Sequence, residues 1–97
     1  MDQPSYVYIL ASAPQGTLYV GATTKLVQRV WQHKQKLVPG FTERYGVDLL
    51  VWFEIHGDLR EAALRERQLK KWRREWKIVL ITDSNPRWRD LYADFTR

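Results

Sequence analysis

The sequence predicts an α+β domain: a three-stranded antiparallel sheet flanked by helices, ordered ββαβαα with a short C-terminal helix. Three observations predict it. Two runs rich in β-branched and aromatic residues, Ser5 to Ala11 and Thr17 to Gly21, flank a loop marked by Pro14 and Gly16, which reads as a hairpin. A third run, Val47 to Ile55, alternates in the manner of a strand. Most other hydrophobic residues recur at helical spacing. The 97 residues have room for one domain, 1–97, and not for two.

In the first strand, Tyr6 and Tyr8 share parity and therefore a face. A hairpin symmetric about Ala13-Pro14 places Tyr8 opposite Tyr19, and opposed residues share a face. Two phenols then meet on one side of the sheet, although an aromatic core pair explains them as simply. The next element is helical. Thr23 or Thr24 caps it, Leu26, Val27, Val30 and Trp31 form its apolar face, and Lys25, Arg29, His33 and Lys36 its polar face. Arg29 and His33 are four apart and share a face. An Arg grips phosphate with parallel donors, and a His donates or accepts near neutral pH. A solvated polar face is the simpler reading of that spacing. The stretch from Leu37 to Gly46, with Pro39, Gly40 and Phe41, exceeds the usual connection and is a candidate functional loop.

In the third strand Val47, Leu49, Val51, Phe53 and Ile55 alternate with Asp48, Leu50, Trp52, Glu54 and His56, and Gly57 ends it. Asp58 followed by Glu61 forms a capping box for a helix through Ala62, Ala63, Leu64, Leu69 and Trp72. The helix breaks before a segment with Trp76, Ile78, Val79 and Leu80. Asn85-Pro86 reads as a cap followed by a helix-opening proline, with Trp88, Leu91, Tyr92 and Phe95 on one face of a closing helix.

Composition narrows the chemistry. Sixteen basic and 11 acidic residues give +5, and the span from Arg60 to Lys77, with eight basic against three acidic residues, holds the whole excess. Arg65, Lys70, Lys71, Arg73, Arg74 and Lys77 are therefore candidate contacts to a phosphate backbone. Trp72 and Trp76 interleave with them. Their spacing favours core packing over base stacking. Glu66 follows Ala62 and Ala63 by one turn, where small residues let a carboxylate approach another element. A carboxylate is a ligand that Mg²⁺ accepts. Glu66 also suits an i,i+4 pair with Lys70, worth only ~0.3 kcal/mol. Without cysteine there is no disulfide framework, thiol nucleophile or Cys-based zinc site, and two histidines without close partner ligands argue against a His-built one. Apolar runs fall short of the ~20 residues of a membrane span, and the N-terminus lacks a signal pattern. The expected location is cytoplasmic, with no membrane partner.

In this order the motifs resemble the GIY-YIG endonuclease domain. Tyr6-Val7-Tyr8 looks like the first motif, with Tyr6 where the family name has Gly, and Tyr19-Val20-Gly21 like the second, with Val for Ile. Arg29 and His33 match the Arg and His of the first helix, and Glu66 the metal-binding Glu of the next long helix. The resemblance covers roughly Ser5 to Ile81. It is greatest to small stand-alone bacterial members related to the N-terminal nuclease domain of the excision-repair excinuclease. The Phe41-Thr42 to Tyr45-Gly46 loop and the Asn85 to Leu91 tail also look like that branch. Many members carry an Asn after the Glu helix, and Asn85 is the candidate here. The resemblance implies a metal-dependent endonuclease acting on nucleic acid, DNA ahead of RNA, in repair or recombination. It implies Glu66 as the ligand of Mg²⁺, with Mn²⁺ as a substitute, and catalytic roles for Tyr8, Tyr19, Arg29 and His33. Tyr19, at the strand end next to the Arg29 helix, is the favoured base. The chain has no separate recognition domain, so a protein partner for targeting fits. Two other classes remain: a non-catalytic nucleic-acid-binding module, and an interaction domain docking through Trp88, Tyr92 and Phe95.

Overall fold

The computed structural model describes residues 3–96. Strand β1 (Ser5–Ala11) is central, between β2 (Leu18–Thr23) and β3 (Leu49–His56), and both neighbours run antiparallel to it. A central strand needs cover on both faces. Val7, Ile9 and Ala11 enter one core with Ala62, Leu69 and Ile81, which α3 (Leu59–Lys71) and α4 (Arg74–Ser84) supply. Tyr8 and Leu10 enter the other with Leu26 and Val30 of α1 (Leu26–Lys34), together with Leu91 and Tyr92. Among the described residues no helix is long and apolar enough to cross a membrane.

The hairpin register differs from the symmetric expectation. Tyr8 opposes Gly21, and Tyr19 opposes Leu10. The turn is Ala13–Gly16, closed by the Gly16 N–H on the Ala13 carbonyl at 2.8 Å, with Gln15 at φ 56°. Pro14 fixes the second turn position, which moves the hairpin centre one residue along. Partners thus shift by two, and an even shift keeps both tyrosines on one face.

Strand β3 carries a bulge. Ile9 pairs with Trp52 but Leu10 with Leu50, so Val51 is the extra residue. The bulge resets the alternation. Leu50, of opposite parity to Phe53, lies with it in the Tyr8 core.

Four further expectations are corrected. Lys25, not a threonine, occupies the N-cap position of α1, although the Thr23 hydroxyl accepts the Lys25 N–H at 3.0 Å. The buried stripe of α1 is Leu26, Val30 and His33, while Val27 and Trp31 are exposed, because the helix meets the sheet through its i, i+4, i+7 row. Trp72 and Trp76 are not core neighbours on one helix. The chain is extended at Trp72 and Arg73, and Trp76 is exposed, edge-on to Trp72 at 6.2 Å. The closing helix shrinks to a 3₁₀ turn, Leu91–Phe95. Trp88, at φ 52°, turns into the α3/α4 core, on the other side of the sheet from Tyr92, so no common Trp88–Tyr92–Phe95 face exists.

Asn85 ends α4 instead of opening a helix. Its buried amide donates to the carbonyls of Val51 at 3.1 Å and Arg89 at 2.9 Å and accepts the Arg89 N–H at 3.2 Å. Asp90 pins the tail, accepting from Lys34 Nζ at 2.5 Å and from the Leu50 N–H at 3.1 Å. The expected capping box of α3 forms in a variant. Asp58 accepts the Glu61 N–H at 2.9 Å, and Glu61 reaches back to the Gly57 N–H at 3.2 Å.

Candidate active site

Tyr8 and His33 meet because one strand face and one helix stripe point at each other. Tyr8 is 2% exposed, and its hydroxyl lies 3.2 Å from His33 Nε2. Gly21 makes room for the phenol. A Cβ there would lie 2.5 Å from the Tyr8 oxygen and 2.6 Å from Cζ, so the ring occupies the space a side chain would fill. The glycine of the second motif is thus a spatial requirement.

Tyr19 sits diagonally from Tyr8, its ring centroid 6.3 Å from that of Tyr8 and 5.5 Å from that of His33. Unlike Tyr8 it is only half-buried. Its other side stacks on Phe41 of α2 (Phe41–Tyr45), a single helical turn within the long loop.

The same turn supplies a residue that the sequence reading missed. Thr42 is buried, with Oγ1 2.9 Å from His33 Nδ1. Both imidazole nitrogens therefore have partners inside the protein. Gly40 (φ 105°) and Gly46 (φ 63°) flank this turn, and glycine adopts such angles without steric penalty. A threonine followed by a glycine four residues on carries no periodic signal, so only the fold could place it.

The electrostatics separate the two ring systems. Burial, then Tyr19, push the Tyr8 phenol well above its ordinary range; Arg29 pulls it down and Glu66 adds to the rise. Burial and Arg29 push His33 down to about 4, against a smaller pull from Asp48. At neutral pH Tyr8 is protonated and His33 is neutral.

The Arg29 guanidinium, half-buried one turn before His33, makes no hydrogen bond or ion pair among the described residues. A half-buried guanidinium without a carboxylate has its donors free for an anion such as phosphate. Glu66 lies on α3, near enough for its charge to act on Tyr8, and pairs with Lys70 at 2.8 Å. Among the described residues no group of three or more Asp, Glu, His or Cys could hold a metal. Mg²⁺ does not require one, since it binds through one or two carboxylates plus waters and substrate phosphate oxygens. The 24% exposed Glu66 side chain suits that mode.

The basic stretch divides. Arg65 is spent on Glu54 at 3.1 Å and stacks over Trp72, and Arg74 donates to the turn carbonyls of Gln15 and Gly16 at 2.6 and 2.8 Å. Lys70 is held by Glu66, and burial lowers the half-buried Lys77. Lys71 and Arg73 are exposed, Arg73 lying over the Trp76 ring.

Comparison with known proteins bears on the family of the chain. Residues 4–78 match the family model described as the GIY-YIG catalytic domain. A UPF0213 protein of Clostridium perfringens is 36% identical over 81 residues, 84% of this chain and 86% of that one. A UPF0213 protein of Desulfotalea psychrophila is 27% identical over 92 residues, 94% of this chain and 84% of that one. No solved structure matches.

Proposed function

The chain belongs to the GIY-YIG family, and on that premise we propose that it is a metal-dependent endonuclease that hydrolyses phosphodiester bonds in nucleic acid, DNA ahead of RNA. Residues 1–97 act as one nuclease domain, in the cytoplasm, in repair or recombination, with a protein partner for targeting. The observation that carries this reading is the unpaired, half-buried Arg29 guanidinium beside Tyr8 and His33, within the electrostatic reach of Glu66 on the same phenol.

Each residue then has a task. Arg29 grips the scissile phosphate and stabilises the negative charge that grows on its oxygens in the transition state. Tyr19, the more exposed phenol, positions the attacking water, and accepts its proton as the phenolate, a form that the positive charge of Arg29 would favour. Tyr8 stays protonated because of its burial and serves as a fixed hydrogen-bonding group. His33 orients Tyr8 through Nε2 and does not charge near neutral pH. Glu66, now paired with Lys70, would hold the cation, Mg²⁺ or in its place Mn²⁺, and the cation would supply Lewis-acid polarisation of the phosphate. Lys71 and Arg73 lie along the backbone, with Arg65, Lys70, Arg74 and Lys77 contributing to the surrounding positive field.

A cleavage screen over duplex, nicked, branched and single-stranded substrates tests this. Glu66→Ala and Arg29→Ala should each abolish Mg²⁺-dependent cutting, with folding retained. Cleavage by Glu66→Ala equal to wild type refutes the assignment. The Glu66–Lys70 pair favours one alternative, a non-catalytic nucleic-acid-binding module. Salt-sensitive binding with no product on any substrate would select it.

A further inference from the structure

A second donor-rich surface, outside the basic stretch of α3 and α4, borders the site. The outer face of α1 carries a groove of about 200 Å³ lined by Thr23, Thr24, Lys25, Gln28, Arg29 and Gln32. Every lining side chain can donate a hydrogen bond, two are cations, and no carboxylate is among them. Apart from the Thr23 hydroxyl, none makes a side-chain hydrogen bond or ion pair among the described residues. Lys25, Gln28, Arg29 and Gln32 stand at i, i+3, i+4 and i+7, which puts them on one helix face. Lys25 and Arg29 are about 6 Å apart along the axis.

Arg29 belongs to both places. It lines this groove, and its charge acts on Tyr8 and His33. The groove therefore continues from the candidate active site, whereas Arg65, Lys70 and Arg74 of the basic stretch are held by partners within the chain. Donors without acceptors, in a groove free of carboxylates, fit an anion.

We propose that this groove binds the backbone phosphate next to the one under attack, with Lys25, Gln28 and Gln32 as its donors. Its catalytic relevance rests on the nuclease reading; its ligand, a nucleic-acid phosphodiester, rests only on nucleic-acid binding, which the non-catalytic reading shares. Phosphate contacts position a strand without reading its sequence. The site thus sets the register of the strand over Arg29 and imposes no base preference.

Fluorescence anisotropy with labelled DNA and RNA oligonucleotides of matched sequence, without divalent cation, tests this over a range of salt. Lys25→Ala should weaken binding about five- to tenfold, uniformly across sequences, and flatten the log affinity against log salt by ~0.7–0.9, the signature of one lost phosphate contact. Gln28→Ala and Gln32→Ala should weaken binding without changing the slope. Arg67→Ala, an exposed cation on α3, serves as the comparison. An unchanged slope and affinity for Lys25→Ala overturns the proposal, as does a slope that falls only with Arg67→Ala. A wild-type protein that cuts with Mg²⁺ while Lys25→Ala binds normally refutes the groove and spares the nuclease. A wild-type protein with the Lys25-dependent slope but no cleavage on any substrate does the reverse. Absence of all nucleic-acid binding refutes both.

Discussion

Gly21→Ala should unfold this protein more readily through a single contact. The new Cβ would meet the Tyr8 oxygen at 2.5 Å, Cζ at 2.6 Å and Cε1 at 3.0 Å. Ordinary contacts begin near 3.4 Å, so the ring must retreat by almost 1 Å. It has no free space to retreat into. Tyr8 is 2% exposed and meets the rings of Tyr19 and His33. Overpacking of this kind costs about 1–3 kcal/mol, and losing the bond to His33 Nε2 costs ~1 kcal/mol more. A total of about 2–4 kcal/mol corresponds to a fall in Tm of roughly 10–20 °C for a chain of this length. Urea unfolding followed by circular dichroism would measure it as a lower midpoint with an unchanged m-value. The same substitution in a Tyr8→Leu background should cost less than half as much, since the two residues act through one contact. A penalty under about 0.5 kcal/mol, or an equal penalty in both backgrounds, refutes the steric account.

The remaining predictions concern the same network and its support. His33 titrates at about 4 when folded and near 6.5 when unfolded. The unfolded state therefore binds more protons between those values, and the stability from the neutral ring is complete above pH 6.5 and lost as pH falls towards 4. Urea midpoints across pH 4–7 should show a slope that His33→Gln reduces; an identical slope in that variant contradicts the shift. Thr42→Val, which keeps the shape but removes the partner of His33 Nδ1, should cost about 1–3 kcal/mol in urea unfolding, while Thr42→Ser should stay close to wild type. Asn85→Ala removes three hydrogen bonds in a buried setting and should cost about 2–4 kcal/mol without altering nucleic-acid affinity in an anisotropy titration; a loss of affinity at unchanged stability would return Asn85 to the site.

The hairpin and the β3 bulge show how far sequence reached. The residue types around Pro14 and Gly16 announce a turn, but its centre depends on which carbonyl closes it, and that is a backbone hydrogen bond. Parity survived because the shift was even. It failed in β3 because Val51 adds one residue to the strand, and a bulge leaves no mark in an alternating pattern when both faces are apolar. Likewise Trp72 and Trp76 stand four apart, but an extended break between two helices cancels the helical meaning of that spacing.

The three strands, the helices α1, α3 and α4, the α+β class and the residue types of the motifs were legible in the amino-acid order, because these rest on local periodicity, caps and turn chemistry. That order also named Tyr8, Tyr19, Arg29, His33 and Glu66. Their states came from the packed molecule. Burial separates a protonated Tyr8 from a half-exposed Tyr19 and makes His33 a neutral buried ring instead of a solvated one. Packing of a glycine-flanked turn added Thr42, and internal ion pairs removed Arg65 and Lys70 from the freely available charge while leaving Arg29 and Lys25 unpaired among the described residues. Spacing along a chain fixes which residues share an element, but solvation and pairing depend on what faces them from other elements.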